Sequence, residues 1–396
     1  METWHLAHGY RYAGVHSGLR PDPDRLDLAL IVSDRPAAAA GVFTQNQVCA
    51  APVQVCRERL PSQRTRGIVI CSGNANACTG SQGLVDARRM AELAGRAVGV
   101  SADQMLVCST GVIGRLLPMD LIASGITRAG RELAGGTLAL ERAAKAILTT
   151  DTHIKISTRK LSIDDTEVCV TGLAKGAAMI GPNMATMLAF VLTDAAVDAD
   201  DLARMARTTA DRTFNCVSVE GHTSTNDTLL VLANGTGARL RGDSLARFGE
   251  TVQAVCADLA RAIAGDAEGA THLVTIHVEG TRTDAEARAI AKAVADSALV
   301  KTAIFGADPN WGRIVSAAGY AGVVFAEANL SLWLGETLLY KSGTPQPFDA
   351  AAVSAWMKAT RDLTMRLVFN LGAGHCTFWT CDLTYDYVRL NADYTT

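Results

Sequence analysis

Ala185 and Thr186 sit where a stretch of small residues gives way to an apolar one, in KGAAMIGPNMATMLAFVLTDAA, Lys175 to Ala196. The first half of this string is rich in Gly and Met and has a turn at Pro182-Asn183. From Met187 to Thr193 it is almost wholly apolar, which predicts a buried strand. A threonine opening such a strand is most often a β-former on a pleated surface. Position also gives it a chemistry. Its hydroxyl can attack the peptide bond before it, and cleavage between Ala185 and Thr186 would leave a free α-amine beside that hydroxyl. Such an amine titrates near roughly pH 7.7–8.0 in model peptides. It is therefore matched to act as the hydroxyl's own general base. No Ser-His-Asp triad is then required, and the chain shows neither a G-x-S-x-G elbow nor a metal-ligand motif.

Other segments carry groups that would serve this nucleophile. MLVCSTGVIGR (105–115) is a buried strand ending in Ser109-Thr110-Gly111. A hydroxyl beside a glycine can aim a side-chain O–H and a backbone N–H at one point, as an oxyanion hole does. The same three residues also make an ordinary turn, and no G-x-x-x-x-G-K-[ST] phosphate loop is present. A helix over 137–148 runs into TTDTHIK, where Thr149 and Thr150 are either helix-end residues or candidates for a site. Lys175 is a solvated surface cation or a partner for a carboxylate. Glu268, in GDAEGATHL, suits a ligand with an amine, or is a solvated loop residue. His222, in HTSTND, has no visible partner and is given no role.

Taken together these strings resemble the ornithine acetyltransferase family, the bifunctional or monofunctional glutamate N-acetyltransferases of arginine biosynthesis. KGAAMIGPNMATML is similar to the family's cleavage-site segment, STGVIG to its oxyanion segment and HTSTND to GDTSTND. GDAEGATHL is similar to DGEGATK, and CDLTYDYVRLNADYTT to the family's C-terminus. The likeness covers nearly the whole chain. It implies self-cleavage between 185 and 186, into an α piece of 1–185 and a β piece of 186–396. It implies Thr186 as nucleophile and Thr110 with Gly111 as oxyanion hole. It implies Thr149, Thr150, Lys175, Thr186, Glu268, Asn391 and Thr396 as substrate contacts. The reaction implied is acetyl transfer from N2-acetyl-L-ornithine to L-glutamate through an acetyl-Thr186 intermediate. Members that use acetyl-CoA as a further donor share these motifs, so that question stays open. No cofactor and no metal are implied; acetyl-CoA would be a substrate.

The resemblance further implies an α+β fold, an α/β sandwich of stacked sheets flanked by helices (ornithine acetyltransferase or DmpA-like). The catalytic unit would span 1–280, with a smaller α+β domain at 281–396 whose tail returns to the site. It implies that the two pieces stay associated, as α2β2 or larger. The alternative within the same fold is an N-terminal-nucleophile aminopeptidase or amidase, against which the match at STGVIG, the cleavage segment and NADYTT argues. A retained but inactive fold is opposed by the intact Ala185-Thr186 and Thr110-Gly111 pairs. Departures from the family strings fall at Ala177-Ala178, at His222 and at Thr395, and bear on substrate choice more than on chemistry.

The elements that must position these groups follow from patterning. The chain has 396 residues, 48% of them hydrophobic and 19% charged, a globular composition with room for two packed units. A net charge of −3 with interspersed signs leaves no basic footprint for nucleic acid or for a membrane surface. No signal-peptide pattern opens the chain, and the ten cysteines, without a CxxC pair, read as small buried hydrophobes of a reduced, cytoplasmic protein. Strands are predicted at 27–34, 39–56, 153–158, 166–172, 322–336, 365–370 and 376–390, and GIVICSGNANACTG (67–80) is read as a strand running into a loop. Helices are predicted at 85–99, 199–213, 244–264, 284–298 and 350–361. Arg35-Pro36 is read as a break.

Overall fold

The computed structural model describes residues 4–163, 166–181 and 187–393. Two mixed sheets organise them. The first holds β1 (Tyr10–Val15), β2 (Leu28–Phe43), β3 (Ser62–Asn74), β4 (Met105–Val112), β5 (Lys155–Ile163), β6 (Thr166–Lys175) and β7 (Leu188–Thr193). A short β8 (Val217–Ser218) belongs to the second sheet, and β9 (Thr228–Ala233) completes the first. The order across the first sheet is β4-β3-β2-β9-β7-β6-β5, with β1 alongside β2. The second sheet runs β13-β12-β11-β14-β10-β15-β8. It uses β10 (Leu273–Thr281), β11 (Ser331–Leu334), β12 (Thr337–Lys341), β13 (Thr344–Pro345), β14 (Asp362–Val368) and β15 (Gly374–Cys381). β10 ends at the boundary drawn at 280/281 and pairs with both β14 and β15.

The apolar run Leu188–Thr193 forms a strand buried on both faces, which is why it reads as continuous rather than alternating. Leu188, Phe190 and Leu192 face one hydrophobic cluster, while Ala189 and Val191 face another, as the two-residue period of a strand requires. On the first side lie the helices α1 (Ala51–Arg59), α2 (Gly80–Val98), α3 (Met119–Arg131) and α4 (Thr137–Ala146), all with residues in that cluster. On the other side are α5 (Ala199–Arg212) and α6 (Gly242–Gly265). Phe248, Val252, Val255, Leu259 and Ile263 form a buried stripe at helical spacing along α6. It packs on β5 and β6 of one sheet and on β15 of the other. Full burial of each such side chain contributes roughly 1.5–3 kcal/mol, so α6 ties the sheets together. Helices α7 (Asp284–Asp296), α8 (Ala298–Phe305), α9 (Trp311–Gly319), α10 (Ala350–Ala359) and α11 (Tyr385–Asp393) complete the described chain.

Three expectations about elements are corrected. Arg35-Pro36 does not end a strand: β2 continues through it with register shifts between Val32, Ala37 and Ala39. Its first half pairs with β1 and β3, and its second half with β9. The irregularity accommodates a proline that has no N–H to give the ladder. Residues 51–59 are helix rather than strand, with a proline in the first turn, where its missing donor costs nothing. The strand expected over 376–390 ends at Cys381, and Tyr385 opens a helix; the Thr384 hydroxyl accepts the Tyr387 N–H at 3.0 Å and caps it.

Candidate active site

β3 and β4 run parallel and end together, with Gly73 beside Gly111. Gly111 has φ +129°, and a Cβ there would lie 2.4 Å from the Gly73 carbonyl carbon. Only glycine fits this close approach of two backbones. Its neighbour Thr110 is buried at the strand end. Elsewhere in the sheet, β6 ends at Lys175, directly opposite Leu188 at the start of β7. Ala185 and Thr186 lie outside the described residues; in sequence Thr186 precedes Leu188 by two positions.

The ends of these strands border a cleft with a cavity volume of about 110 Å³. That is small beside the roughly 300–1,000 Å³ of pockets for drug-sized ligands and suits a compact metabolite. Thr110, Gly111, Thr149, Thr150, Lys175, Glu268 and Asn391 all line it. They come from β4, the loop after α4, β6, the loop after α6 and α11, segments far apart in the chain. Thr396 lies outside the described residues. His222 is exposed and is not among the lining residues.

Lys175 is buried, and its Nζ donates to Thr110 Oγ1 at 3.2 Å. Burial pushes its pKa below the usual lysine range, against the pull of the Asp151 carboxylate. The Asp151 carboxylate is held below its ordinary range by Lys175 and Lys155, although burial opposes this. Glu268 has its backbone N–H on the Ala177 carbonyl at 2.9 Å, which ties its loop to the segment after Lys175. Its Oε2 accepts from Asn391 Nδ2 at 3.1 Å. The helix carrying Asn391 is anchored in turn: Thr384 Oγ1 donates to the Gly269 carbonyl at 2.7 Å. Asp382 accepts from the Thr271 and His272 amides at 2.9 and 3.1 Å.

The structure adds groups to which the sequence reading gave no role. Ser224, Thr225 and Asn226 of HTSTND also line the cleft. Asn226 Nδ2 donates to the carbonyls of Ala75 and Ser109, at 2.6 and 2.8 Å, and so ties the residue after β3 to β4. Asp227 is fully buried; its Oδ1 accepts the Met187 N–H at 3.1 Å, and its Oδ2 has no partner among the described residues. Burial raises its pKa well above the carboxylate range. It thus anchors the amide that follows Thr186 in the chain. Glu220 accepts the Ile180 N–H, and Val219 N–H donates to the Ile180 carbonyl at 2.8 Å. That clamp holds the chain five positions before Ala185. Burial moves the Glu220 carboxyl up to about 7. The signal for Ser224, Thr225, Asn226 and Asp227 was the polar string HTSTND before an apolar strand, which read only as a motif.

A model of the ArgJ family matches residues 11–396. The arginine biosynthesis bifunctional protein ArgJ 1 of a Nostoc species is 47% identical over 401 residues, spanning 98% of this chain and 96% of its own. The corresponding protein of Geobacter sulfurreducens is 44% identical over 392 residues, 98% of this chain and 99% of its own. Among solved structures, the arginine biosynthesis bifunctional protein of Bacillus halodurans is 40% identical with a TM-score of 0.50. The match covers 52% of this chain and 98% of that one.

Proposed function

The chain belongs to the ArgJ family, and from that premise we propose that it moves the acetyl group of N2-acetyl-L-ornithine to L-glutamate through an ester on Thr186. The observation that carries this reading is the convergence of Thr110, Gly111, Lys175, Glu268 and Asn391 on one small cleft. Self-cleavage comes first: the Thr186 hydroxyl attacks the Ala185 carbonyl, the C–N bond breaks, and water hydrolyses the resulting ester. The products are the pieces 1–185 and 186–396, the second with a free α-amine.

In the transfer, that amine takes the hydroxyl proton as Thr186 Oγ attacks the acetyl carbonyl. The Thr110 O–H and the Gly111 N–H hold the negative oxygen of the tetrahedral intermediate. The C–N bond to ornithine breaks, and the proton passes to the departing ornithine nitrogen. The glutamate amine then attacks the acetyl ester and loses a proton to the α-amine, which returns it to the Thr186 oxygen. Lys175 pairs a substrate carboxylate, and Glu268 with Asn391 receives an amine. Thr149 and Thr150 border the amino-acid portion, and Thr396 completes its enclosure.

Both pieces contribute to such a site, so they remain together, as α2β2 or a larger assembly. The enzyme works in the cytoplasm and without a bound cofactor; acetyl-CoA is a candidate second donor. Among the described residues no helix is long and apolar enough to cross a membrane. The test is an assay of the purified protein with N-acetylornithine, with and without glutamate. Ornithine and N-acetylglutamate formed in equal amounts support the reading. Acetate released at the same rate without glutamate points to the aminopeptidase or amidase alternative instead.

A further inference from the structure

Beneath the cleft lies a buried charge cluster that no step above uses. Lys155 opens β5, and its side chain is fully buried. Its Nζ sits 2.7 Å from Asp151 Oδ1 and 2.6 Å from Asp266 Oδ2, and both carboxylates are buried too. The two carboxylates reach outward to backbone. Asp151 accepts the Gly176 N–H at 2.6 Å and the Thr149 N–H at 3.0 Å. Asp266 accepts the Thr152 N–H at 3.0 Å and the Thr152 hydroxyl. The exposed His153 also has its Nδ1 3.2 Å from Asp266 Oδ1.

Three segments that line the cleft therefore meet on one ammonium. They are the Thr149-Thr150 loop, the Lys175-Gly176 strand end, and the loop from Asp266 to Glu268. Each reaches the cleft two residues or fewer from an anchored group. A buried ion pair is poor evidence for stability, because desolvation offsets most of its attraction. Its best attested use is to fix one arrangement among several. Two carboxylates on one lysine also leave a negative charge, and among the described residues Lys175 is a further cation that acts on Asp151.

Resting on the proposed function, we infer that Lys155 is a positioning residue that locks the three substrate-facing segments and Lys175 into one geometry through Asp151 and Asp266. Without its charge, Lys175 is drawn from Thr110 toward Asp151, and the three segments loosen together.

The test compares wild type with Lys155→Met, Asp266→Asn and the charge-balanced double variant, all as full chains. Amide hydrogen exchange is followed in peptides covering 148–153, 175–178 and 265–269, beside KM and kcat for N-acetylornithine and glutamate. Lys155→Met is expected to speed exchange in all three peptides together and to raise both KM values by about tenfold, with a smaller effect on kcat. The double variant is expected to recover part of the KM. Exchange that changes only around residue 155, or KM values equal to wild type, would overturn the inference. Should Lys155→Met fail to fold, Asp266→Asn decides, since it keeps the Lys155–Asp151 pair: faster exchange in 148–153 and 265–269, with 175–178 near wild type, supports the lock, and wild-type exchange in all three peptides refutes it. The exchange pattern needs no substrate, so a wild type lacking transferase activity would refute the proposed reaction without deciding this point.

Discussion

The Nζ of Lys175 lies 3.2 Å from the Oγ1 of Thr110, across 65 positions of sequence. An ammonium has only donors, so the threonine oxygen accepts and its own O–H is free to point elsewhere. That leaves a polarised hydroxyl donor beside the Gly111 amide, as stabilising an oxyanion requires. Replacing Thr110 by Val keeps the shape and removes the donor. The expected loss in kcat is roughly 100- to 1,000-fold, the usual cost of one oxyanion donor. Thr110→Ser should recover most of it in the same steady-state assay.

Gly111→Ala combines a backbone angle that L-residues rarely adopt with a contact at 2.4 Å. The expected cost is on the order of 1–3 kcal/mol, seen as a lowered unfolding midpoint in urea. An unchanged midpoint would mean that β3 and β4 separate easily.

Asn391 neutralises nothing but occupies one oxygen of Glu268. Asn391→Ala should raise KM for N-acetylornithine a few-fold. Asn391→Asp sets two carboxylates together and should raise it further. Equal KM values for the two variants would remove Glu268 from the amine site.

Glu220 predicts a pH dependence of stability. Its folded-state pKa, about 7, lies above the ordinary value of 4.5 because of burial. Between those values the folded protein holds the extra proton, so this group's contribution falls as pH rises from 4.5 to 7 and is flat above. The full penalty is on the order of 3 kcal/mol. Glu220→Gln should therefore be more stable than wild type at pH 8, and the gap should close below pH 4.5. A gap independent of pH would show that charge at this position is not the cause.

Much of the scaffold was legible because its apolar runs obey simple periods. Leu188–Thr193 and the stripe of α6 are examples. The turn to helix at Tyr385 was not, because TYDYVRL alternates like a strand while Thr384 caps it as a helix. Thr110, Lys175 and Glu268 were legible as motifs, and they do meet at one cleft. Lys155 was not, and Asp266 and Asn226 stood in such strings without a role, because the contacts that matter lie more than 100 positions away in sequence. No local pattern displays such a contact. Asp227 stood in a motif, but its bond to the Met187 amide follows only from the pairing of β7 with β9.

The proposed chemistry turns on the bond between Ala185 and Thr186. Intact mass on the purified wild-type chain, run denatured beside Thr186→Ala, tests it most directly. We predict two wild-type species, residues 1–185 and 186–396, and one uncut chain for the variant. A single uncut wild-type chain, or cleavage that persists in Thr186→Ala, would contradict the N-terminal nucleophile and the transfer chemistry built on it.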